Sequence, residues 1–100
     1  MTVISIKSIN QHLKNNPNSY LIDVRSSIEF ATGHIPVSIN FPLDELIHFN
    51  FPKHHSYLLI CNTGRRAKEA YDYLKEKGYG NIFHIKENIF SWHGKLAHDF

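Results

Sequence analysis

The sequence predicts an α/β domain built on a mainly parallel sheet. Two segments, residues 20–24 and 57–61, are almost wholly apolar, which is typical of strands buried on both faces of such a sheet. After the second segment, apolar residues recur at helical spacing until Gly78. Because strand patterns alternate with helix patterns along the chain, we expect parallel strands with helices packed on the sheet.

The individual elements follow from local patterns and stop signals. Strand patterns occupy five segments, residues 3–6, 20–24, 38–41, 57–61 and 82–85. Helix patterns lie between and after them, over residues 8–16, 26–33, 43–49, 67–74 and 89–98. Ser8 is the predicted N-cap of the first helix, and Ser26 with Glu29 has the spacing of a capping box. Gly33 and Gly78 are the predicted helix stops.

Length and composition predict one ordinary domain that spans residues 1–100. The chain has 100 residues, a hydrophobic share of 42% and a single cysteine, so it reads as a globular domain without disulfides. We see no secretory signal pattern and no apolar run long enough to cross a membrane. A reducing cytoplasm is therefore the expected location, and we expect a monomer.

Charge and histidine spacing argue against two further classes of function. The net charge of +2 is too small to predict nucleic-acid binding, and no dense basic run is present. Eight histidines are scattered along the chain, and none forms an H-x-x-x-H pair. We therefore expect no metal and no other cofactor.

The segment CNTGRR, residues 61–66, carries the strongest chemical signal. Cys61 ends an apolar strand just before a helix, where ligands bind in parallel sheets. Gly64 allows the loop to curl so that backbone N–H groups meet at one centre and favour a reactive thiolate. Arg65 and Arg66 add positive charge suited to an anionic substrate. A cysteine that ends an apolar strand is also typical of a plain core position, but two arginines at a helix start oppose the macrodipole unless an anion lies there.

Two longer segments together resemble the rhodanese, or sulfurtransferase, family. LIDVRSSIEFATGHIPVSINFP, residues 21–42, is similar to the family's D-V-R, E-F, G-H-I and N-x-P pattern. CNTGRRAKEAYDYLKEKGYGNIFHI, residues 61–85, is similar to its C-x-x-G-x-R active loop, the helix after it and the next strand. With Trp92 in the tail, the likeness covers almost the whole chain.

The resemblance implies a fold, a reaction and a set of site residues. The fold is a three-layer domain with a five-stranded, mostly parallel sheet flanked by helices. In the implied reaction, Cys61 takes a sulfane sulfur from an anionic donor as a persulfide and passes it to cyanide, a thiol or a protein cysteine. The amides that cradle the persulfide belong to Asn62, Thr63, Gly64, Arg65 and Arg66. Polar residues in a supporting, fold-holding role are Asp23, Arg25, Glu29 and His34.

Other functions remain open beside this one. Related phosphatases and arsenate reductases have a loop one residue longer, and we expect phosphate to fit poorly in the smaller ring that ends at Arg66. A non-catalytic or slow binding or persulfide-sensing module is the second alternative. The chain also departs from the family at 37–38 and at Glu87-Asn88, where many members have Gly-Gly. At that turn we expect Asn88 to tolerate a left-handed conformation more readily than Glu87, whose charge could oppose the arginines near the entrance.

Overall fold

Five short strands form one sheet in which every strand pairs in parallel with its neighbours. A computed structural model describes residues 1–99; Phe100, the last residue of the predicted domain, lies outside the described residues. The strands are β1 (Val3–Ile4), β2 (Ser19–Asp23), β3 (Ile39–Asn40), β4 (Ser56–Ile60) and β5 (Ile82–Ile85). Their order across the sheet is β1-β5-β4-β2-β3, so β2 and β4, the two most apolar strands, lie side by side in the interior.

Helices cover both faces of the sheet. The α-helices are α1 (Ile9–Asn15), α2 (Ser27–Thr32) and α3 (Arg65–Glu76), and short 3-10 helices occupy Ile6–Ser8, Leu43–His48 and Ile89–Ser91. On one face, α3 buries its apolar stripe, which consists of the predicted residues Ala67, Ala70, Tyr71 and Leu74. On the other face, α1 and the 3-10 helices at the two ends of the chain pack on a second apolar cluster.

Strand alternation decides which face each residue of β4 serves. Leu58 and Ile60 point to the cluster under α1, while Tyr57, Leu59 and Cys61 point to the cluster under α3. Each fully buried aliphatic side chain of this kind stabilises the fold by about 1.5–3 kcal/mol. The same alternation places the sulfur of Cys61 on the face where α3 begins.

Several predicted boundaries were wrong, and a local hydrogen bond explains one of them. β1 ends at Ile4, because Ser5 caps a 3-10 helix and its hydroxyl accepts from the Lys7 N–H. Ser8 does precede α1, but its side chain makes no cap hydrogen bond. The predicted strand 38–41 contracts to Ile39–Asn40, and the predicted helical segment 43–49 is a 3-10 helix.

The predicted capping box is present at the start of α2. The Ser26 hydroxyl accepts from the Glu29 N–H, and the Glu29 carboxylate accepts from the Ser26 N–H. Gly33 ends the helix with a φ of 165°, which is extended backbone, so its role as a stop does not depend on a left-handed conformation. Gly78, by contrast, has a φ of 97° after α3.

Residues 1–99 contain neither a membrane-spanning helix nor a group of side chains suited to a metal ion. Every helix of that range is too short or too polar to cross a bilayer. Over the same range, no three His, Cys, Asp or Glu side chains come together in a way that could hold a metal ion.

Candidate active site

Cys61 lies immediately after β4, and its sulfur accepts two backbone hydrogen bonds. The Gly64 N–H donates to Sγ at 3.0 Å, and the Ala67 N–H donates at 3.3 Å. The residue is only 1% exposed. Hydrogen bonds to a charged form favour that form, so these donors stabilise a thiolate or a persulfide anion at this point.

The loop reaches this arrangement because α3 starts on a glycine. Gly64 is the N-cap of α3 and has φ 87° and ψ −20°, a left-handed conformation that strains other residues. The turn aims two N–H groups, those of Gly64 and Ala67, at the sulfur. The first N–H groups of a helix have no acceptor within the helix, and here the sulfur is their acceptor. The sulfur therefore lies at the positive end of the helix dipole.

Contacts from neighbouring elements hold the two ends of this loop. The Ile89 N–H donates to the Cys61 carbonyl at 3.1 Å, which ties the end of β4 to the segment after β5. The Val24 N–H donates to the Ile60 carbonyl at 3.0 Å, which ties it to the end of β2. The His84 Nε2 lies 3.2 Å from the Gly64 carbonyl oxygen.

The two arginines of the loop lie in different environments. Arg66 forms a bidentate ion pair with Glu29 of α2, at 2.5 and 2.9 Å. The hydrogen bond from Arg66 holds the pKa of Glu29 at about 2, well below its usual value of 4.5, and the pKa of Arg66 is raised in return. Arg65 is exposed, and no carboxylate within residues 1–99 lies at ion-pair distance from it. Of the two loop arginines, Arg65 is therefore the one whose charge has no carboxylate partner among residues 1–99.

Asp23 and Arg25 form a buried ion pair at the end of β2. Their relative exposures are 0% and 2%, and the guanidinium donates to the carboxylate at 2.8, 3.0 and 3.1 Å. Arg25 also donates to the Gly33 carbonyl at 2.7 Å, which ties β2 to the end of α2. The amide of Asn40 donates to the carbonyls of Asp23 and Arg25, both at 3.0 Å. These contacts hold the chain beside the active loop and leave neither charge facing a substrate.

His34 lies in a similar supporting position. Its ring stacks on Phe30 with centroids 3.7 Å apart, and its Nδ1 lies 2.7 Å from the Phe30 carbonyl oxygen. Its backbone forms an antiparallel bridge with Ala97. His34 therefore joins the end of α2 to the last segment of the chain.

The turn after β5 corrects the expectation for Glu87 and Asn88. Every positive φ within residues 1–99 belongs to a glycine, so neither residue is left-handed. The Glu87 carboxylate accepts from the Ile6 N–H at 2.8 Å and the Ser5 hydroxyl at 3.0 Å, and these contacts lower its pKa. Its carboxylate is therefore engaged by the N-terminal segment.

Sequence reasoning missed two residues that contact the active loop. Ala67 donates to the sulfur through its backbone, and only the position of α3 relative to Cys61 reveals this. His84 extends from β5 to the Gly64 carbonyl. In the sequence it lies within a strand pattern, which does not predict this contact. The amides of Asn62, Thr63, Arg65 and Arg66, which were predicted to join the cradle, make no hydrogen bond to Sγ among the contacts of residues 1–99.

A cavity opens beside the loop. It has a volume of about 370 Å³ and a mostly apolar lining of Val24, Ser26, Pro42, Leu43, Asp44 and Arg66. It lies on the side of the loop from which Arg66 contacts α2.

A family comparison agrees with this geometry. The family model for the rhodanese-like domain matches residues 5–95. This chain belongs to the rhodanese-like family. The match confirms the family resemblance found in the sequence, and the five-stranded parallel sheet with flanking helices confirms the predicted α/β class.

Known relatives of this rhodanese-like domain include named sulfurtransferases. It is 31% identical over 92 residues to a sulfurtransferase of Allochromatium vinosum, covering 89% of this chain and 85% of the relative. It is 36% identical over 94 residues to a rhodanese domain-containing protein of Drosophila melanogaster, covering 78% and 85% of the two chains. A rhodanese-related protein from Thermoplasma volcanium has a similar crystal structure, with a TM-score of 0.83, 26% identity and coverage of 97% and 98%. At the level of the family, these relatives support sulfur transfer.

Proposed function

We propose that this rhodanese-like domain is a sulfurtransferase in which Cys61 carries the sulfur. It takes a sulfane sulfur from an anionic donor, thiosulfate or a small persulfide, and passes it to a thiophilic acceptor. The observation that carries the proposal is the pair of N–H donors, from Gly64 and Ala67, that converge on the one sulfur atom of the chain's only cysteine. A cysteine that only fills space in the core does not require two backbone N–H donors on its sulfur.

In the first step, the Cys61 thiolate attacks the outer sulfur of thiosulfate. The new bond joins Sγ to that sulfur, the S–S bond of thiosulfate breaks, and sulfite leaves with the electron pair. The product is a Cys61 persulfide anion. The Gly64 and Ala67 N–H groups lie at the start of α3, where fixed dipoles stabilise negative charge without reorganising.

In the second step, the acceptor attacks the outer sulfur of the persulfide. Cyanide leaves as thiocyanate, and a thiolate acceptor becomes a persulfide; in both cases the Cys61 thiolate is regenerated. Because this chain has no second cysteine to take the sulfur, the acceptor is an outside molecule, either a small thiol or a protein cysteine. A reducing compartment such as the cytoplasm keeps Cys61 available for this cycle.

The structure suggests separate roles for the two arginines. Arg65 is exposed, so we assign it the docking of the anionic donor. Arg66 is already paired with Glu29, so we assign it the positioning of the loop against α2. This assignment revises the expectation that both arginines attract the donor.

The test is turnover of thiosulfate and cyanide by the wild type and by Cys61→Ser. Serine is close to cysteine in size but is a poor nucleophile, so the rate should fall by on the order of a thousandfold or more. A thermal melt of the variant checks that it folds. If the wild type transfers no sulfur from thiosulfate or from a glutathione persulfide, the enzyme proposal fails and the binding-module alternative replaces it. Aryl phosphate turnover comparable to thiosulfate turnover would instead favour the phosphatase alternative.

A further inference from the structure

His84 contacts the active loop from the neighbouring strand. It pairs with Leu59 in the register between β4 and β5, and residues paired in a parallel sheet point to the same face. That face is the one that α3 covers, and on it the imidazole Nε2 lies 3.2 Å from the Gly64 carbonyl oxygen. A Cβ atom placed on Gly64 would lie 4.0 Å from the imidazole, so the ring packs directly beside this glycine.

The chemistry of this contact fixes the direction of the hydrogen bond. A carbonyl oxygen only accepts, so the Nε2 of His84 carries the proton and donates it. A neutral His84 is therefore the Nε2–H tautomer, and a protonated His84 donates from the same atom. The Gly64 carbonyl also accepts from the Lys68 N–H at 3.0 Å, so two donors on different elements hold one oxygen.

The residue held in this way is the one whose N–H contacts the sulfur at 3.0 Å. Gly64 has φ 87°, and a glycine can leave this conformation more freely than any other residue. It also has no side chain with which to cap α3. The direction of its N–H therefore depends on what holds the adjacent peptide, and His84 is the side chain that does so.

We propose that His84 is a positioning residue for sulfur transfer, which holds the Gly64 carbonyl so that the Gly64 N–H stays directed at the Cys61 sulfur. This inference rests on the proposed function, but it predicts an effect on the thiolate that can be measured without any sulfur transfer. The effect comes from hydrogen-bond donation and does not require a positive charge on the imidazole.

The experiment compares His84→Leu, which removes the donor, with His84→Gln, whose terminal amide keeps a donor near the position of Nε2. The readout is the ultraviolet thiolate absorbance of Cys61 at neutral pH, taken as the difference from the matching Cys61→Ser protein. In His84→Leu the ratio of thiolate to thiol should fall by about threefold to tenfold, the effect of one lost hydrogen bond. His84→Gln should stay within about twofold of the wild type.

A matched control is His12→Leu. His12 is also a half-buried histidine, and its Nε2 is buried without a hydrogen-bond partner among residues 1–99. This variant should leave the thiolate fraction unchanged. An equal loss in His12→Leu and His84→Leu would mean that general destabilisation causes the effect, and the proposal would be overturned.

Turnover supplies a second readout. His84→Leu should lower kcat by about threefold to tenfold and leave the donor KM within about twofold, because the cradle acts on the sulfur and not on donor docking. A wild-type thiolate fraction in His84→Leu overturns the proposal, and so does an equal loss in His84→Leu and His84→Gln. A protein with the predicted thiolate changes but no sulfur transfer would contradict the proposed function and not the role of His84.

If His84→Leu does not fold, the wild-type protein still tests whether the Nε2 of His84 donates to Gly64. Nitrogen-15 NMR of the histidine rings identifies the neutral tautomer directly. An Nε2–H tautomer whose proton exchanges slowly is the expected result, and an Nδ1–H tautomer at His84 overturns the proposal.

Discussion

The ends of β2 and β4 lie side by side in the sheet, and they use their charged residues in opposite ways. At the end of β2, Asp23 and Arg25 are wholly buried and neutralise each other. At the end of β4, backbone N–H groups converge on Cys61, and the charge of Arg65 remains exposed. The two sites are tied together by the hydrogen bond from the Val24 N–H to the Ile60 carbonyl.

This difference shows that charge near a candidate site is not by itself evidence of chemistry. The side chains of Asp23 and Arg25 bond to each other and to the backbone, so they have little capacity left for a substrate. The donors around Cys61 converge instead on a sulfur atom, which we propose to be the nucleophile. The β2 end is therefore expected to govern stability, and the β4 end to govern reaction, with Arg66 and Glu29 between the two.

The largest effect on stability should come from the buried pair. Asp23→Asn leaves Arg25 charged and buried without a counter-ion, which should lower the free energy of unfolding by about 3–5 kcal/mol. Urea unfolding measures this loss. The matched control is Asp72→Asn, the same change in an exposed pair with Lys68, where the loss should stay below about 0.5 kcal/mol. Equal losses in the two variants would contradict the structural role given to Asp23.

Gly64 and Gly78 both have a positive φ, so comparing them distinguishes backbone strain from an effect on sulfur transfer. Gly64→Ala and Gly78→Ala should each lower the free energy of unfolding by about 1–2 kcal/mol, because both residues have positive φ and neither added Cβ meets fixed backbone. Only Gly64→Ala should also slow sulfur transfer, since only Gly64 contacts the sulfur. Gly80→Ala, which adds a methyl group in open space, serves as the unstrained control. Equal transfer rates in the Gly64 and Gly78 variants would break the link between loop geometry and reaction.

The ion pair between Glu29 and Arg66 should contribute a pH-dependent term. Folding lowers the pKa of Glu29 from 4.5 to about 2, so its stabilisation is present above pH 4.5 and is lost as the pH falls toward 2. Because Glu29 is 35% exposed, solvent screening limits this contribution to about 1 kcal/mol. The stability difference between the wild type and Glu29→Gln should therefore shrink across this window in urea unfolding. A difference that persists at pH 2 would mean that packing, and not the carboxylate charge, holds α2 against the loop.

The smallest effect should come from the exposed arginine. Arg65→Ala should raise the KM for thiosulfate by about two- to fivefold and leave kcat unchanged, because a screened surface charge acts on docking. Arg65→Lys should restore most of the affinity, and added salt should reduce the difference. A fall in kcat at constant KM would show instead that Arg65 acts on the transition state.

Local features of the fold were predictable from the sequence, and distant contacts were not. The capping box of Ser26 and Glu29 and the buried stripe of α3 depend on residues a few positions apart, so their spacing predicts them. The bond from Arg66 to Glu29 joins residues 37 positions apart, and the bond from Ile6 to Glu87 spans 81 positions. Such pairings depend on the sheet order, for which the sequence carries no periodic signal.

The candidate site divides in the same way. The position of Cys61 at the end of an apolar strand and the left-handed Gly64 before a helix were both within reach of sequence reasoning. Three other contacts join residues of different elements and so depend on the tertiary fold. They are the hydrogen bond from the Ala67 N–H to Cys61, the contact of His84 with Gly64, and the ion pair of Arg66 with Glu29. The negative charge that the sequence placed near the entrance, that of Glu87, is engaged by the N-terminal segment.

Whether Cys61 carries sulfur is decided by the intact mass of the protein after brief incubation with thiosulfate, and again after addition of cyanide. We expect a gain of one sulfur atom, located on Cys61, which cyanide removes and which the Cys61→Ser variant never shows. No gain with thiosulfate, and none with a glutathione persulfide, would contradict the account, because the N–H groups of Gly64 and Ala67 would then surround a cysteine that carries no sulfur.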